Sequence, residues 1–365
     1  MSNLTKYFNH FNFQNLVDDP NVHTKTYEGL SLAKYNVNVK PVECSIEEYY
    51  KHFCRGIIVK EGSNEIVCLP TPKRTEGNPY LTDTESESEP IIQQQIDGTM
   101  VNMFYNTLTS EWCISTRTVI NANCRWKSPK TFSEMFYEIV EDECNKATGV
   151  SNSHDVFFDQ FSKDTSYSFV IQHKENRIVS HITDNSLWLV DAYKLDWNCE
   201  DNTNIVEQVD LDNYFKTIKE SRVDKQVVGF TIPYKQKIKS NVSKSDLWKG
   251  DVKDSLNEKL HWSNRFVVKY CGHRVNIENT QYDEVKKLKG NSNNKLFTYI
   301  DQRYKGIIKD YLKYFPEDGI DYNHYREKIH ILTQELYNFY NSTFKQKTTS
   351  LKNDVPYQLK PLCYE

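Results

Sequence analysis

Between residues 91 and 105 the chain reads I-I-Q-Q-Q-I-D-G-T-M-V-N-M-F-Y, and this stretch restricts the fold more than any other. An apolar start runs into Gln95-Ile96-Asp97-Gly98, and beyond the glycine Met100, Asn102 and Phe104 alternate with Val101, Met103 and Tyr105. Period-two alternation is what a half-buried strand requires, because successive side chains leave a strand on opposite faces. A strand that breaks at Asp-Gly and resumes predicts a hairpin, since Asp and Gly adopt the positive φ of a tight two-residue turn.

The rest of the chain supplies enough apolar surface to build a core around such a strand. Of its 365 residues 38% are hydrophobic and 13% aromatic, enough for one large domain or two smaller ones. No stretch approaches the ~18 uninterrupted apolar residues of a membrane span, and the start, M-S-N-L-T-K, lacks the apolar core of a secretory signal. The expectation is a soluble protein with no membrane partner, in the cytoplasm, or in a virion if the source is a large DNA virus. High Asn, Lys, Ile and Tyr usage fits an AT-rich genome of a large DNA virus or a protist. The nine cysteines are odd in number and never spaced C-x-x-C, which excludes a disulfide framework and a zinc knuckle and predicts reduced thiols. A formal charge of −4 gives no broad basic field, so nucleic-acid binding would need a local patch.

Residues 1–40 are rich in Asn, His and Tyr with little periodicity and read as an irregular lead-in, with one short helix near residues 11–16. Residues 45–53 read as a helix capped by Ser45, with Glu47 and Glu48 near its N-terminus. The segments 55–59 and 65–69 read as a hairpin ending in P-T-P-K, and the acidic run 82–90 as a solvated loop. Residues 111–120 are another strand. Thr131 and Glu134 form a capping box for a helix that buries Phe132, Phe136, Ile139, Val140 and Cys144. Residues 167–173, 178–181, 187–193 and 227–232 read as strands, 211–220 as a helix, and 264–270 and 274–279 as two more strands. His173 and His181 fall on adjacent strand candidates, but two histidines without a third ligand are better read as packed or surface groups than as a metal site. Beyond residue 282 the pattern turns helical. Residues 296–315 are stopped by Pro316, and Tyr322, Tyr325, Ile329, Leu332, Leu336 and Phe339 mark a helix buried along one side.

The order of these pieces resembles a known family. Arg-Gly on a strand, a Pro-rich turn ending in Lys, x-x-D-G, S-T-R, E-N-R-I-V, F-V-V, then an R-x-x-I-x-N strand and a helical tail resemble the covalent nucleotidyltransferase domain of RNA ligases of the phage T4 RNA ligase 1 kind. Each motif alone is weak; their order and spacing carry the likeness, over about residues 41–287. The resemblance implies an α+β, ATP-grasp-like mixed antiparallel sheet domain over 41–285, with a C-terminal helical subdomain over 286–365. It also implies a reaction in which the lysine of K-x-D-G attacks the α-phosphate of ATP, with carboxylates for ribose or metal and cations for the phosphates.

Laid on this chain, those requirements fail at five places. The lysine position holds Gln95, whose amide nitrogen has no basic lone pair and forms no phosphoramidate. The carboxylate position before N-R-I-V falls on Val170. The later glutamate falls on Asn264, and the two lysines of the final K-x-K fall on Asn276 and Glu278, the last an anion where a phosphate would sit. Arg55, Lys73, Asp97, Gly98, Arg117, Asn176 and Arg177 do match. On one reading they persist because they support the fold; on the other, Arg55, Lys73 and Arg117 still form a cationic pocket for a nucleotide or an RNA phosphate. The resulting expectation is a degenerate, catalytically inactive member that binds RNA, a nucleotide or a protein partner, with no cofactor. The first alternative is an active ligase or capping-type enzyme that uses ATP and Mg and a displaced lysine such as Lys60 or Lys73. The second is an unrelated α+β interaction protein.

Overall fold

The computed structural model describes residues 2–36, 46–73, 91–126, 128–148, 154–214, 216, 263, 265–270, 273–277, 279–290, 292 and 294–347. The chain divides into two compact units, Met1–Asp283 and Glu284–Glu365. The first is α+β, with every described strand pairing antiparallel. The second is helical.

Among the described residues, the first unit holds three sheets. Strand β1 (Ser2–Asn3) stands at the edge of a six-stranded sheet with β7 (Thr99–Asn106), β8 (Glu111–Ser115), β9 (Thr165–Gln172), β10 (Ser186–Asn198) and β11 (Thr203–Gln208), in the order β1-β11-β10-β9-β7-β8. A four-stranded sheet follows chain order through β2 (Val22–Tyr27), β3 (Leu30–Tyr35), β4 (Arg55–Lys60) and β5 (Ile66–Cys68). The third sheet places β12 (Arg265–Tyr270) between β13 (His273–Ile277) and β6 (Ile91–Gln95).

One face of the six-stranded sheet is covered by helix α2 (Phe132–Thr148) and helix α3 (His154–Phe158), which share a core with Val101, Met103, Phe169, Ile171 and Leu189. The capping box that starts α2 is present: the Thr131 N–H donates to Glu134 Oε2 at 2.6 Å and the Glu134 N–H to Thr131 Oγ1 at 3.2 Å. Phe132, Phe136, Ile139, Val140 and Cys144 all lie in the core, as their spacing predicts. Thr131→Ala is therefore expected to destabilise the protein by roughly 1 kcal/mol, the usual loss for an N-cap, read from the midpoint of a urea titration.

Five expectations are corrected. The lead-in is not irregular: residues 2–36 hold β1, helix α1 (Phe13–Val17) capped by the Asn12 side chain, and the β2–β3 hairpin. Glu28 and Gly29 both take positive φ, 47° and 75°, the conformation of a two-residue primed turn. The hairpin escapes a periodicity search because β2 is exposed along all but its first residue. Asp97-Gly98 is not a hairpin turn, since β6 pairs with β12 while β7 enters the six-stranded sheet; the dipeptide carries the chain from one sheet to another. Residues 178–181 are a loop rather than a strand, and β9 is paired by β10 instead. His181 is accordingly exposed in that loop, while buried His173 accepts the Glu175 N–H at Nδ1, so the two do not form a pair.

The remaining two corrections concern the second unit. The long helix expected over 296–315 is two, α5 (Lys295–Lys305) and α6 (Ile308–Tyr314), parted at Gly306 with φ 72°. They follow α4 (Thr280–Lys289) and precede α7 (Gly319–Tyr340). Along α7 only Tyr322 is buried, against Tyr299 and Tyr311, while Tyr325, Ile329, Leu332, Leu336 and Phe339 are half-buried. The expected cap at Ser45, most of the helix at 211–220 and the strand at 227–232 lie outside the described residues. Among the described residues no helix is long and apolar enough to cross a membrane.

Candidate ligand-binding cleft

The crossing at Asp97-Gly98 is held from four sides. Asp97 Oδ2 accepts the backbone N–H groups of Val179 and Ser180 at 2.8 and 2.7 Å. Its Oδ1 accepts the Tyr282 hydroxyl at 2.5 Å and Arg265 Nη2 at 3.3 Å. Burial and the Asp97 carboxylate push the Tyr282 phenol well above its ordinary range, so it stays protonated and donates. The Arg265 guanidinium lies 3.9 Å from the centre of the Tyr282 ring, a cation–π contact that fixes both. Arg177 Nε donates to the carbonyls of Val179 and Ser180 at 3.1 and 3.2 Å, pinning the loop that binds Asp97. Gly98 is required by space: a Cβ there would lie 2.3 Å from the Ile171 carbonyl oxygen and 2.7 Å from Val170 Cγ1.

Beside this crossing, two polar sheet faces meet. Residues paired across antiparallel strands share a face. In the three-stranded sheet Gln95 pairs with Arg265, Gln93 and Asn276 with Val267, and Arg274 with Lys269, so six polar side chains and one valine look the same way. Across the six-stranded sheet Ser115, Asn102, Ser168 and Asp191 form a transverse row. The faces are joined where Lys269 Nζ donates to Asp191 Oδ1 at 2.5 Å and to the Val190 carbonyl at 2.9 Å. Asp191 also accepts from Thr71 Oγ1 at 2.9 Å and Gln208 Nε2 at 3.2 Å. Burial pulls Lys269 below the ordinary lysine range, with Asp191 opposing the shift and Arg274 adding to it. A small pocket lies here, lined by Thr71, Pro72, Asp191, Tyr193, Gln208, Lys269 and Arg274. It has room for about one water molecule, far less than the roughly 300–1,000 Å³ of most small-molecule sites.

A cluster of cations borders the cleft. Arg55 opens β4 opposite Lys34 on β3. Gly56 lets the segment after β8 approach: a Cβ at Gly56 would sit 2.9 Å from Arg117 Cα. The Arg-Gly pair thus brings the backbones that carry Arg55 and Arg117 together, near enough for Arg117 to act on the ionisation of Arg55. Burial, then Arg274 and Arg117, lower the Arg55 pKa, and burial, then Arg117 and Lys25, lower that of Lys34. Among the described residues, Lys34, Arg55 and Arg117 have no carboxylate partner. Uncompensated like charges held near one another repel, and an anion placed among them relieves the repulsion.

The sequence-derived candidates therefore divide. Asp97, Gly98 and Arg177 surround the crossing, with Asn176 tied to Thr99 Oγ1 at 2.8 Å. Arg55 and Arg117 stand together at the cation cluster. Lys73 follows the cavity-lining Thr71-Pro72 and its N–H donates to the His52 carbonyl at 2.6 Å. Of the degenerate positions, Gln95 and Asn276 face the cleft and Val170 packs beside Gly98; Asn264 and Glu278 lie outside the described residues. Lys60 is ion-paired with Glu65 at 2.6 Å near the β4–β5 turn. Sequence reasoning missed Lys34, Asp191, Arg265, Lys269, Arg274 and Tyr282. An acid inside the apolar run L-W-L-V-D-A-Y was a usable signal, because a charge on a buried strand demands a partner.

No family model matches the chain, and no curated protein sequence matches it. Among solved structures it is similar to a putative ATP-dependent DNA ligase from Aquifex aeolicus, at 13% identity over 90% of this chain and 79% of that one, with a TM-score of 0.43. It is also similar to an archaeal ATP-dependent RNA ligase (form 1), at 10% identity over 79% of this chain and 64% of that one, with a TM-score of 0.40.

Proposed function

We propose that this chain is a ligase-like protein that holds a phosphate-bearing ligand, RNA or a nucleotide, without passing through a lysyl-nucleotide. The observation that carries the reading is the cluster of Lys34, Arg55 and Arg117, drawn from three segments and lacking a carboxylate partner among the described residues. In a chain of net charge −4 such a local excess is a site for an anion rather than a general basic surface. The absence of covalent transfer is supported by Gln95, which stands at the end of β6 facing the cleft with an amide where an amine is needed. No cofactor is required for binding of this kind. A cytoplasmic setting fits the cysteines, which are free at all six described positions.

Filter binding of single-stranded RNA tests the reading. Arg55→Ala with Arg117→Ala is expected to weaken binding by roughly tenfold or more, as charge-assisted hydrogen bonds contribute about 1.5–3 kcal/mol each. The slope of log affinity against log salt should flatten by about 1.4, from about 0.7 per phosphate contact on a single strand. RNA binding indifferent to both changes would favour a protein partner. Incubation with radiolabelled ATP and Mg²⁺ or Mn²⁺, followed by a denaturing gel, is expected to leave no labelled protein. A labelled band abolished by Lys73→Ala would instead establish the displaced-lysine enzyme.

A further inference from the structure

We propose that Gln95 and Asn276 are the specificity half of this site, taking the neutral hydrogen-bonding part of a nucleoside phosphate whose phosphate rests on Arg55 and Arg117. The inference rests on the phosphate-binding reading above and adds to it what the ligand must carry besides phosphate.

Both amides stand on the cleft face of the three-stranded sheet, on either side of β12. Gln95 is opposite Arg265, and Asn276 is opposite Val267, the next β12 residue on that face. Two interstrand spacings of ~4.8 Å and a two-residue offset put their backbones on the order of 12 Å apart. Gln95 Oε1 and Asn276 Oδ1 are both buried, and neither has a hydrogen-bond partner among the described residues. A buried amide oxygen without a donor is a standing cost to folding, and such costs concentrate where a ligand completes the bond.

The amide chemistry selects what that ligand presents. A primary amide offers one acceptor and a donor pair, matching a base edge or a ribose hydroxyl. A phosphate oxygen brings only acceptors, so a buried amide oxygen repels it. Phosphate therefore belongs at the other end of the face. Asn276 lies two residues from Arg274 on the same side of β13, a rise of ~7 Å. Arg274 in turn stands close enough to Arg55 to act on its ionisation. Along the cleft the order is Gln95 beside Arg265, whose charge is met by Asp97, then Asn276, then Arg274, an amide-bearing end followed by a cationic one. A nucleoside phosphate has the same two parts, whether free or at the end of an RNA strand.

Titration calorimetry on the full chain distinguishes these ideas, using inorganic tripolyphosphate, ATP and a 5′-phosphorylated RNA oligonucleotide. The wild type is expected to bind ATP or the oligonucleotide roughly tenfold or more tighter than tripolyphosphate, about one hydrogen bond's worth per amide. The better of the two shows whether the nucleotide is free or strand-terminal. Gln95→Met with Asn276→Leu should bring nucleotide affinity down to the tripolyphosphate level and leave tripolyphosphate binding as it was, which also shows that the variant is folded. Without ligand, the double variant should melt no lower than the wild type, because it loses two unpartnered buried oxygens. Equal wild-type affinity for tripolyphosphate and nucleotide, or a preference that survives in the double variant, would overturn this inference and leave the phosphate reading standing. Wild-type protein that binds none of the three would overturn both. Should the double variant misfold, Gln95→Met alone must still lower the preference severalfold.

Discussion

Asp97→Asn is expected to destabilise the protein by about 3–5 kcal/mol, the loss typical of breaking a buried charged network at one member. The carboxylate accepts four donors, two backbone N–H groups on one oxygen and the Tyr282 hydroxyl and Arg265 on the other. Asparagine has nearly the same shape but only one acceptor oxygen. Whichever way its amide turns, an NH₂ group faces two donors. Either the loop at Val179 and Ser180 loses its anchor, or Arg265 and Tyr282 do. Asp97→Ala should cost about as much, because it leaves all four donors unmet. Urea unfolding with an unchanged slope measures the effect, and a midpoint shift worth less than about 1 kcal/mol would show that the network holds the crossing only weakly. The size of the loss also bears on why Asp-Gly is present beside Gln95. A structural requirement of this magnitude keeps the dipeptide in place whether or not any chemistry occurs next to it.

Local rules were legible in the sequence where the partner lies within a few residues. Thr131 and Glu134 satisfy each other three positions apart, so the start of α2 and its buried face could be read directly. The β4–β5 hairpin and the stop at Pro316 are of the same kind. The crossing at Asp97-Gly98 was not legible, since the partners that decide it are far away in sequence: β6 pairs with β12, and the carboxylate is met by residues 82 to 185 positions on. Asp-Gly favours a tight turn by local conformation, and these long-range contacts override that preference. The cleft divides along the same line. Arg55 and Arg117 were found by their motif setting, whereas Lys34 reaches the cluster through sheet register, and Asp191 and Lys269 meet only when two sheets are brought together. Along α7 the apolar spacing is real, but among the described residues of the second unit its ring contacts with the preceding helices are made by Tyr322 and Tyr325 near its start, so periodicity promised more burial there than exists.

Lys269→Met should be the other severe change, again by about 3–5 kcal/mol, because it removes the ion-pair partner of Asp191 and leaves it in the sheet with Thr71 and Gln208 as its remaining hydrogen-bond donors among the described residues. Methionine keeps the length and the apolar stem, so lost packing contributes little and the stranded charge dominates. The two side chains are 12% and 4% exposed, too little for water to replace the ammonium group. The informative measurement is a double-mutant cycle with Asp191→Leu. If the pair acts as a unit, Asp191→Leu alone should be costly, and the two changes together should recover most of the loss, since an apolar pair of similar volume has no desolvation penalty. Additive losses would mean that Lys269 and Asp191 each hold a different part of the cleft. Recovery of stability in the double variant also gives a stringent test of the site, because it removes the bridge between the two polar faces while keeping the fold. With Arg55 and Arg117 untouched, anion binding should survive in that variant if the cation cluster alone carries it, and should fall if the Lys269–Asp191 bridge is what holds Arg274 and the amides in line.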